Sequence, residues 1–314
     1  MESNSTIILV DAFSQIYRGF YAIPNLRNSQ SFPTNAIFAV AKLLFNLDDD
    51  YYSDYGAFVF DLGKPAKRLE ILPEYKANRP PMPDDLLAQI PIIKKWISAY
   101  GWRAFEAEGY EADDIIATFS KYFTDREVGI VSSDKDLAQL ICKNVKMIVP
   151  AKKDKGFNVW TTSEVIAKFA VSPEQIVDYL SLIGDNSDNI KGIEGVGPKT
   201  AAKLLEQFGS IDKIFENIEK ISNKNLKEKI LQSKEILKRN RELVSLIADF
   251  PNESWKTTNI LKKNPPNWQE LEKIATELDM KTIFKEIEKR KFAPLQQKIE
   301  ERKTKDNYFT PDLF

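Results

Sequence analysis

The sequence predicts an α/β fold, a mostly parallel central sheet flanked by helices, joined to an all-α region. Three observations carry that prediction. Short apolar runs alternate with helix-period segments through the first half of the chain, at Ile7–Val10, Ala57–Phe60, Trp102–Phe105, Val128–Val131 and Val145–Val149. Carboxylates stand just past several of these runs: Asp11 after the first, Asp61 after the second, Asp134 and Asp136 beyond two serines after the fourth. That is the carboxyl edge, where open α/β sheets place their sites. Beyond Ser163 the strand signals stop and the composition reads as helices and loops, so the domain change is placed there, with residues 1–162 before it and 163–290 after it.

Each element follows in order. After the first run, Arg18 lies about two helical turns beyond Asp11 if a helix starts there, which suits either a bound phosphate or a solvated surface. Ile37, Val40, Ala41 and Leu44 give Asn35–Leu47 the period of a core-facing helix, and Asp48-Asp49-Asp50 reads as a solvated turn. From Lys64 to Arg79 five basic residues face only Glu70 and Glu74, a local net of +3. Prolines at 65, 73, 80, 81 and 83 forbid one smooth helix, so this stretch reads as a mobile segment that grips substrate, or as an ordinary surface loop. A helix follows through Leu86, Leu87, Ile90, Ile93 and Ile97.

The stretch GYEADDIIA then opens a helix with Glu111, Asp113 and Asp114 in its first turn and Ile115, Ile116 and Phe119 on its apolar side. Acids there gain about 0.3–1 kcal/mol each from the helix dipole, and an isolated cluster would need no further reading. With Asp11, Asp61, Asp134 and Asp136 at the same sheet edge the charges repel unless a cation holds them, so the constellation predicts metal. After Phe157–Trp160, a second motif runs Gly184-Asp185-Asn186-Ser187-Asp188 and on to Gly195-Val196-Gly197-Pro198-Lys199-Thr200. Glycines that admit a close phosphate, followed by Pro at a helix start and by Lys199 and Lys203 one turn apart, form the helix-hairpin-helix pattern (about residues 176–206) that grips a nucleic-acid backbone without reading bases. Asp185 and Asp188, directly before it, read as metal ligands or as helix caps.

Composition bounds the chemistry. The 314 residues are 43% hydrophobic and 29% charged, ordinary values for a globular protein with an ample core. The single Cys142 excludes an internal disulfide and suits a reducing cytoplasm. The polar start MESNST is no signal peptide, and no apolar run nears the ~18 residues of a membrane span. A chain without histidine lacks the usual general base and the commonest zinc ligand. Carboxylates alone call for hard cations, two Mg²⁺ or Mn²⁺. The net charge of −1 argues against nucleic acid until the nine candidate acids are set aside, when the remainder carries +8.

The motifs VDAFSQIYR, FDLGKPAKR with EYKANRP, GYEADDIIA, SSDKDLAQL and GDNSDNIKGIEGVGPKTAAKLL stand in an order and spacing that resembles the 5′–3′ exonuclease domain of bacterial DNA polymerase I, of the flap endonuclease family, over residues from about 7 to 290. The resemblance implies a nuclease core with an arch at about residues 64–96. It implies metal ligands at Asp11, Asp61, Glu111, Asp113, Asp114, Asp134, Asp136, Asp185 and Asp188, with Asp11, Asp61, Glu111 and Asp113 at the tighter of two positions. Catalytic roles fall on Lys76, Arg79, Asp11 and Asp113. DNA contacts fall on Arg18, Arg68, Lys76 and Arg79, and on Gly195, Val196, Gly197, Lys199, Thr200 and Lys203 of the hairpin, where K⁺ is an added candidate. The implied activity is two-metal hydrolysis of 5′ flaps, nicks and ends, RNA primers included, by a cytoplasmic monomer. Ala12 departs from the family's usual Gly, and the chain ends at Phe314 with no polymerase following, so the expectation is a free-standing form.

Rival classes fare worse. A catalytically silent helix-hairpin-helix module would have shed acids. A toxin-like RNase on a related sheet would lack the arch and hairpin, and an NTPase would need a G-x-x-x-x-G-K-[ST] loop, which is missing. A charged tail, residues 291–306, leads to Tyr308-Phe309-Thr310-Pro311-Asp312-Leu313-Phe314, whose Asp312-Leu313-Phe314 ending resembles peptides that bind the replication sliding clamp, although Thr310 stands where Gln is usual. Docking of that ending on the chain's own surface is the other reading.

Overall fold

The computed structural model describes residues 6–151, 156–250 and 252–292. In chain order the elements are β1 (Ile7–Asp11), α1 (Ala12–Ala22), α2 (Asn35–Asp50), β2 (Tyr55–Val59), α3 (Ala66–Ile71), α4 (Asp84–Leu87), α5 (Ile90–Ala99), β3 (Arg103–Phe105), α6 (Ala112–Tyr122) and β4 (Val128–Val131). A 3₁₀ turn (Asp136–Leu140) leads to β5 (Val145–Pro150), β6 (Phe157–Trp160), α7 (Thr162–Phe169) and α8 (Ile176–Ile183). Two-residue strands β7 (Gly184–Asp185) and β8 (Ile190–Lys191) precede α9 (Pro198–Phe208), α10 (Ile211–Glu216), α11 (Lys224–Gln232), α12 (Lys234–Val244), α13 (Trp268–Glu277) and α14 (Lys281–Phe292). The chain divides into two compact units. One gathers the residues up to Gln15, Asp54–Met82 and Ala104–Lys262; the other gathers Ile16–Ser53, Pro83–Arg103 and the residues from Lys263 on.

In the first unit the sheet runs β3-β2-β1-β4-β5-β6. Strand β1 pairs in parallel with β2 (Leu9 beside Ala57) and with β4 (Leu9 beside Ile130), and β5 continues in parallel. Only β6 is shown running against its neighbour, Ile148 beside Val159. Every residue of β1 and β4 is buried, which explains why both read as unbroken apolar runs rather than alternating ones. Because β1 lies between β2 and β4, the winding reverses at its carboxyl end. That reversal opens the crevice in which sheets of this kind hold ligands.

The helical part of this unit packs α8 and α12 around Asn240, which is fully buried and donates to the carbonyls of Ser181 (3.0 Å) and Lys191 (2.8 Å). Strand signals do not end at Ser163, as the composition suggested: β7 and β8 form a hairpin in which Gly184 faces Lys191. Two-residue strands are too short to leave a period. Their glycines are the readable sign. A Cβ on Gly184, whose φ is +74°, would lie 2.3 Å from the amide nitrogen of Gly192, and one on Gly192 would lie 2.2 Å from the carbonyl carbon of Ile183. Only glycine lets these backbones meet.

The second unit is helical. Gln89, with no exposed surface, accepts from the amides of Ala36 (2.9 Å) and Ile37 (3.2 Å), so a distant side chain caps α2. Asp48-Asp49-Asp50, expected as a solvated turn, forms the last turn of α2, with Asp49 and Asp50 exposed. Acids there oppose the helix dipole. Tyr100 donates to Asp48 at 2.7 Å, Lys263 stands 3.4 Å from the same carboxylate, and the buried Arg290 reaches Asp49 at 2.5 Å, which offsets that opposition. Among the described residues no helix is long and apolar enough to cross a membrane. Residues 152–155 and the tail with Asp312, Leu313 and Phe314 lie outside the described residues.

Candidate active site

Two strand ends meet at the winding reversal. Asp11, the last residue of β1, is buried and accepts a 2.7 Å bond from the hydroxyl of Ser132, just past β4, and a 3.2 Å bond from the Ser14 amide. Asp61, two residues beyond β2, is exposed and accepts from the Ala112 amide at 2.8 Å, so it caps the first turn of α6. The amide of Glu111 in turn donates to Asp114 Oδ2 at 3.1 Å. Acids placed in a first helical turn thus satisfy the helix and stay gathered at the sheet edge.

A polar cavity of about 50 Å³ lies in this unit, lined by Glu111, Asp113, Asp134, Asp136, Asp185 and Asp188 together with Arg68, Tyr75, Lys76, Arg79 and Lys135. Acids and cations are interleaved. Lys76 Nζ pairs with Glu111 and stands 3.8 Å from Asp188. Arg79 holds Asp188 at 2.6 Å and Lys135 holds Asp185 at 2.8 Å. The Tyr75 hydroxyl lies 2.8 Å from Asp188 and 3.1 Å from Glu111. Asp185 also accepts from the amide (2.8 Å) and hydroxyl (2.6 Å) of Ser187.

Burial, reinforced by Asp134 and Asp61, pushes the Asp11 carboxyl up to about 7, with the Ser132 bond opposing. Burial also raises Asp113 well above the carboxylate range, and Asp134, Asp11 and Asp61 add to the effect. Asp136 is raised the same way by burial and then by Asp134, Asp188 and Asp185. Asp185 behaves differently: burial works against its charge, yet the bonds from Lys135 and Ser187 hold it below the usual value. Burial first, and the neighbouring acids after it, thus disfavour these negative charges, which marks a place for added positive charge.

The donors are hard oxygens, and Asp136 Oδ1 is buried with no hydrogen-bond partner. Both fit a divalent cation. Among the described residues no three acids converge closely enough to hold an ion as they stand. Lys76, Arg79 and Lys135 pair instead with Glu111, Asp188 and Asp185.

The basic segment is docked rather than free. Lys76 N donates to the Asp188 carbonyl (3.0 Å), Asn78 to that of Asn186 (2.6 Å), Arg79 to that of Ser187 (3.2 Å), and Asn189 donates back to that of Glu74 (2.8 Å). Lys76 has φ +57°, unusual for a residue with a side chain, so the docking forces its backbone to place the ammonium.

Asp11 and Asp61 stand outside the lining of this cavity, and Arg68 and Asp114 are engaged with each other. Arg68, 4% exposed, does not face solvent as a phosphate contact but forks onto Asp114 at 2.6 and 2.8 Å and reaches the Leu243 carbonyl at 3.0 Å. Asp114, fully buried, has both oxygens engaged by Arg68, with further bonds from the amides of Ile247 (2.9 Å) and Glu111 (3.1 Å), and it does not line the cavity. A guanidinium that loses water needs a planar carboxylate partner, and Asp114 supplies it.

The hairpin residues form a turn ahead of α9. Gly195 has φ +82° and is exposed, Val196 is buried, and Gly197 precedes α9, whose Lys199 and Lys203 are exposed. Thr200 N bonds the Gly197 carbonyl at 3.0 Å. Arg18 is exposed on α1 and belongs to the second unit.

Residues 6–170 match the family described as 5′-3′ exonuclease, N-terminal resolvase-like domain, and residues 171–269 match its C-terminal SAM fold. The chain belongs to the 5′-3′ exonuclease family. A 5′-3′ exonuclease of Aquifex aeolicus is 41% identical over 90% of this chain and 96% of its own length. DNA polymerase I of Caldicellulosiruptor bescii is 36% identical, and there the match covers 90% of this chain but 33% of the relative. Among solved structures of similar fold are the bacteriophage T5 D15 flap endonuclease in a complex with DNA and metal ions (TM-score 0.64, 20% identity, 90% of this chain and 98% of that one) and the catalytic core of Rad2 with DNA substrate (0.57, 16%, 90% and 92%).

Three residues of this 5′-3′ exonuclease family chain went unread in the sequence. Tyr75 lies inside EYKANRP, Ser132 opens SSDKD, and Lys135 separates Asp134 from Asp136. Ser132 had a usable signal, a small polar residue immediately past a buried strand. Tyr75 and Lys135 had none, because their partners are 113 and 50 positions away.

Proposed function

We propose that this chain hydrolyses phosphodiesters of DNA at 5′ flaps, nicks and ends, RNA primers included, as a cytoplasmic monomer using two divalent cations. The observation that carries this reading is a cavity faced by six carboxylates, one of them with a buried, partnerless oxygen. Asp11, Asp61, Glu111 and Asp113 would hold one Mg²⁺ or Mn²⁺, and Asp134, Asp136, Asp185 and Asp188 the other; when bound, such a pair activates water and neutralises charge on attacking and leaving oxygens. Asp114 acts through its contacts with Glu111 and Arg68 rather than by touching an ion.

The protein's own groups do the rest. Lys76, released from Glu111, serves turnover on the flap, and Arg79, released from Asp188, captures the 5′ strand. Gly195, Val196, Gly197, Lys199, Thr200 and Lys203 hold the duplex backbone through amides and ammonium groups, while Arg18 adds a phosphate contact. Lys229 Nζ already stands 3.3 Å from the Glu194 carbonyl at this hairpin, so K⁺ would compete with it there. The nuclease core at 1–162, its arch at 64–96 and the helical region at 163–290 divide this labour.

A labelled 5′-flap duplex is expected to be cut with Mg²⁺ and left whole with a chelator; cutting that survives the chelator sinks the reading. Lys76→Ala should lower turnover about a hundredfold while sparing duplex affinity. Gly195→Val should weaken duplex binding and flatten its salt dependence instead. Identical behaviour of the two variants would contradict the division. We also propose that Asp312-Leu313-Phe314 docks on a sliding clamp, so deleting Pro311–Phe314 should spare flap cleavage and abolish co-elution with the clamp; co-elution that persists would count against it.

A further inference from the structure

Lys135 has no part in the reaction as derived so far, and its placement is specific. Its ammonium lies 2.8 Å from Asp185 Oδ2, and it springs from the same loop as Asp134 and Asp136. Lys135 is itself half-exposed, whereas Asp185 is 7% exposed and fixed by Ser187. The partnerless Asp136 Oδ1 belongs to the same cavity. Lys76 and Arg79 reach their carboxylates from another segment, whereas Lys135 is flanked on both sides by acids of the cluster, so only its side chain can leave them.

We propose that Lys135 is a tethered cation that keeps the Asp134, Asp136 and Asp185 side from taking a divalent ion until a phosphodiester draws its ammonium away. The proposal rests on the two-cation reading above. Asp185 cannot serve an ammonium and a divalent ion at full strength together, since the two cations repel at contact distance. A non-bridging phosphate oxygen is an acceptor of comparable charge, and a compact ammonium on a four-carbon stem can swing to it. The second ion then enters with substrate rather than ahead of it, which spares the resting protein from a fully charged site that would attack any passing strand.

Calorimetric titration with Mn²⁺, without nucleic acid, tests this directly. Wild type should bind one ion tightly and a second at least about tenfold more weakly, and Lys135→Met should tighten the second by about tenfold while leaving the first unchanged. Lys135→Arg keeps the charge and should follow wild type. Lys135→Gln, also neutral and more soluble, repeats the measurement if the methionine variant does not fold. Superimposable isotherms for wild type and the neutral variants overturn the proposal but leave two-cation catalysis standing. Absence of Mn²⁺ binding in every protein overturns both.

Discussion

Asp113→Ala is expected to cut flap cleavage by about a thousandfold or more while duplex binding holds or tightens. Asp113 lies in the first turn of α6, half-buried, where Asp134, Asp11 and Asp61 crowd its charge. Alanine is the best helix former, so the substitution should leave α6 intact. Under the proposed assignment it removes one ligand from the first ion position, and it takes one repulsion out of the resting cluster. The two effects separate by measurement: single-turnover cleavage falls, and the melting temperature stays level or rises. Asp11→Ala should lose cleavage as severely, but with some loss of stability, because it also breaks the bond to Ser132 that spans the winding reversal. Cleavage by Asp113→Ala within tenfold of wild type would remove Asp113 from the ligand set.

The difference between these two acids shows what was legible beforehand. Asp11, Asp61 and Asp134 each follow an apolar run, and burial of β1 and β4 on all sides makes such runs conspicuous. Once a parallel sheet is inferred, its carboxyl edge names the acids without any coordinates. The hairpin was legible because glycine and proline constrain the backbone locally. What stayed hidden depends on partners remote in sequence. Nothing near Arg68 tells that Asp114 lies 46 positions on with its oxygens turned toward it. Nothing near Lys76 tells that residues 186–189 dock that loop. The basic segment therefore read as mobile from its prolines, while long-range bonds hold it in place. Strands β7 and β8 were missed for a different reason, since two residues carry no period and only the paired glycines mark them.

Arg68→Met should destabilise the protein by about 3–5 kcal/mol, because it strips a buried carboxylate of its cation. The Arg68 guanidinium joins three pieces of chain. It forks onto Asp114 of α6, stands 2.9 Å from Glu111 Oε2, and donates to the carbonyls of Leu243 and Ser245 at the end of α12. The Ile247 amide closes the ring onto Asp114 Oδ1 at 2.9 Å. With methionine at 68 the aliphatic volume is kept, but Asp114 has no exposed surface through which water could replace the lost bonds. Lysine keeps the charge and loses the fork, so Arg68→Lys should recover only part of the loss. Pairing Arg68→Met with Asp114→Leu removes both charges and should be less destabilised than Arg68→Met alone, the signature of a penalty that comes from the orphaned carboxylate. Urea unfolding of the four proteins gives these values, and a loss below about 1 kcal/mol for Arg68→Met would show that water reaches Asp114 after all. Glu111 loses a neighbouring cation in the same variant, so at temperatures where Arg68→Met is folded its metal affinity should change while duplex affinity does not. A fall in duplex affinity with stability untouched would instead return Arg68 to the phosphate-contact role that the sequence resemblance implied.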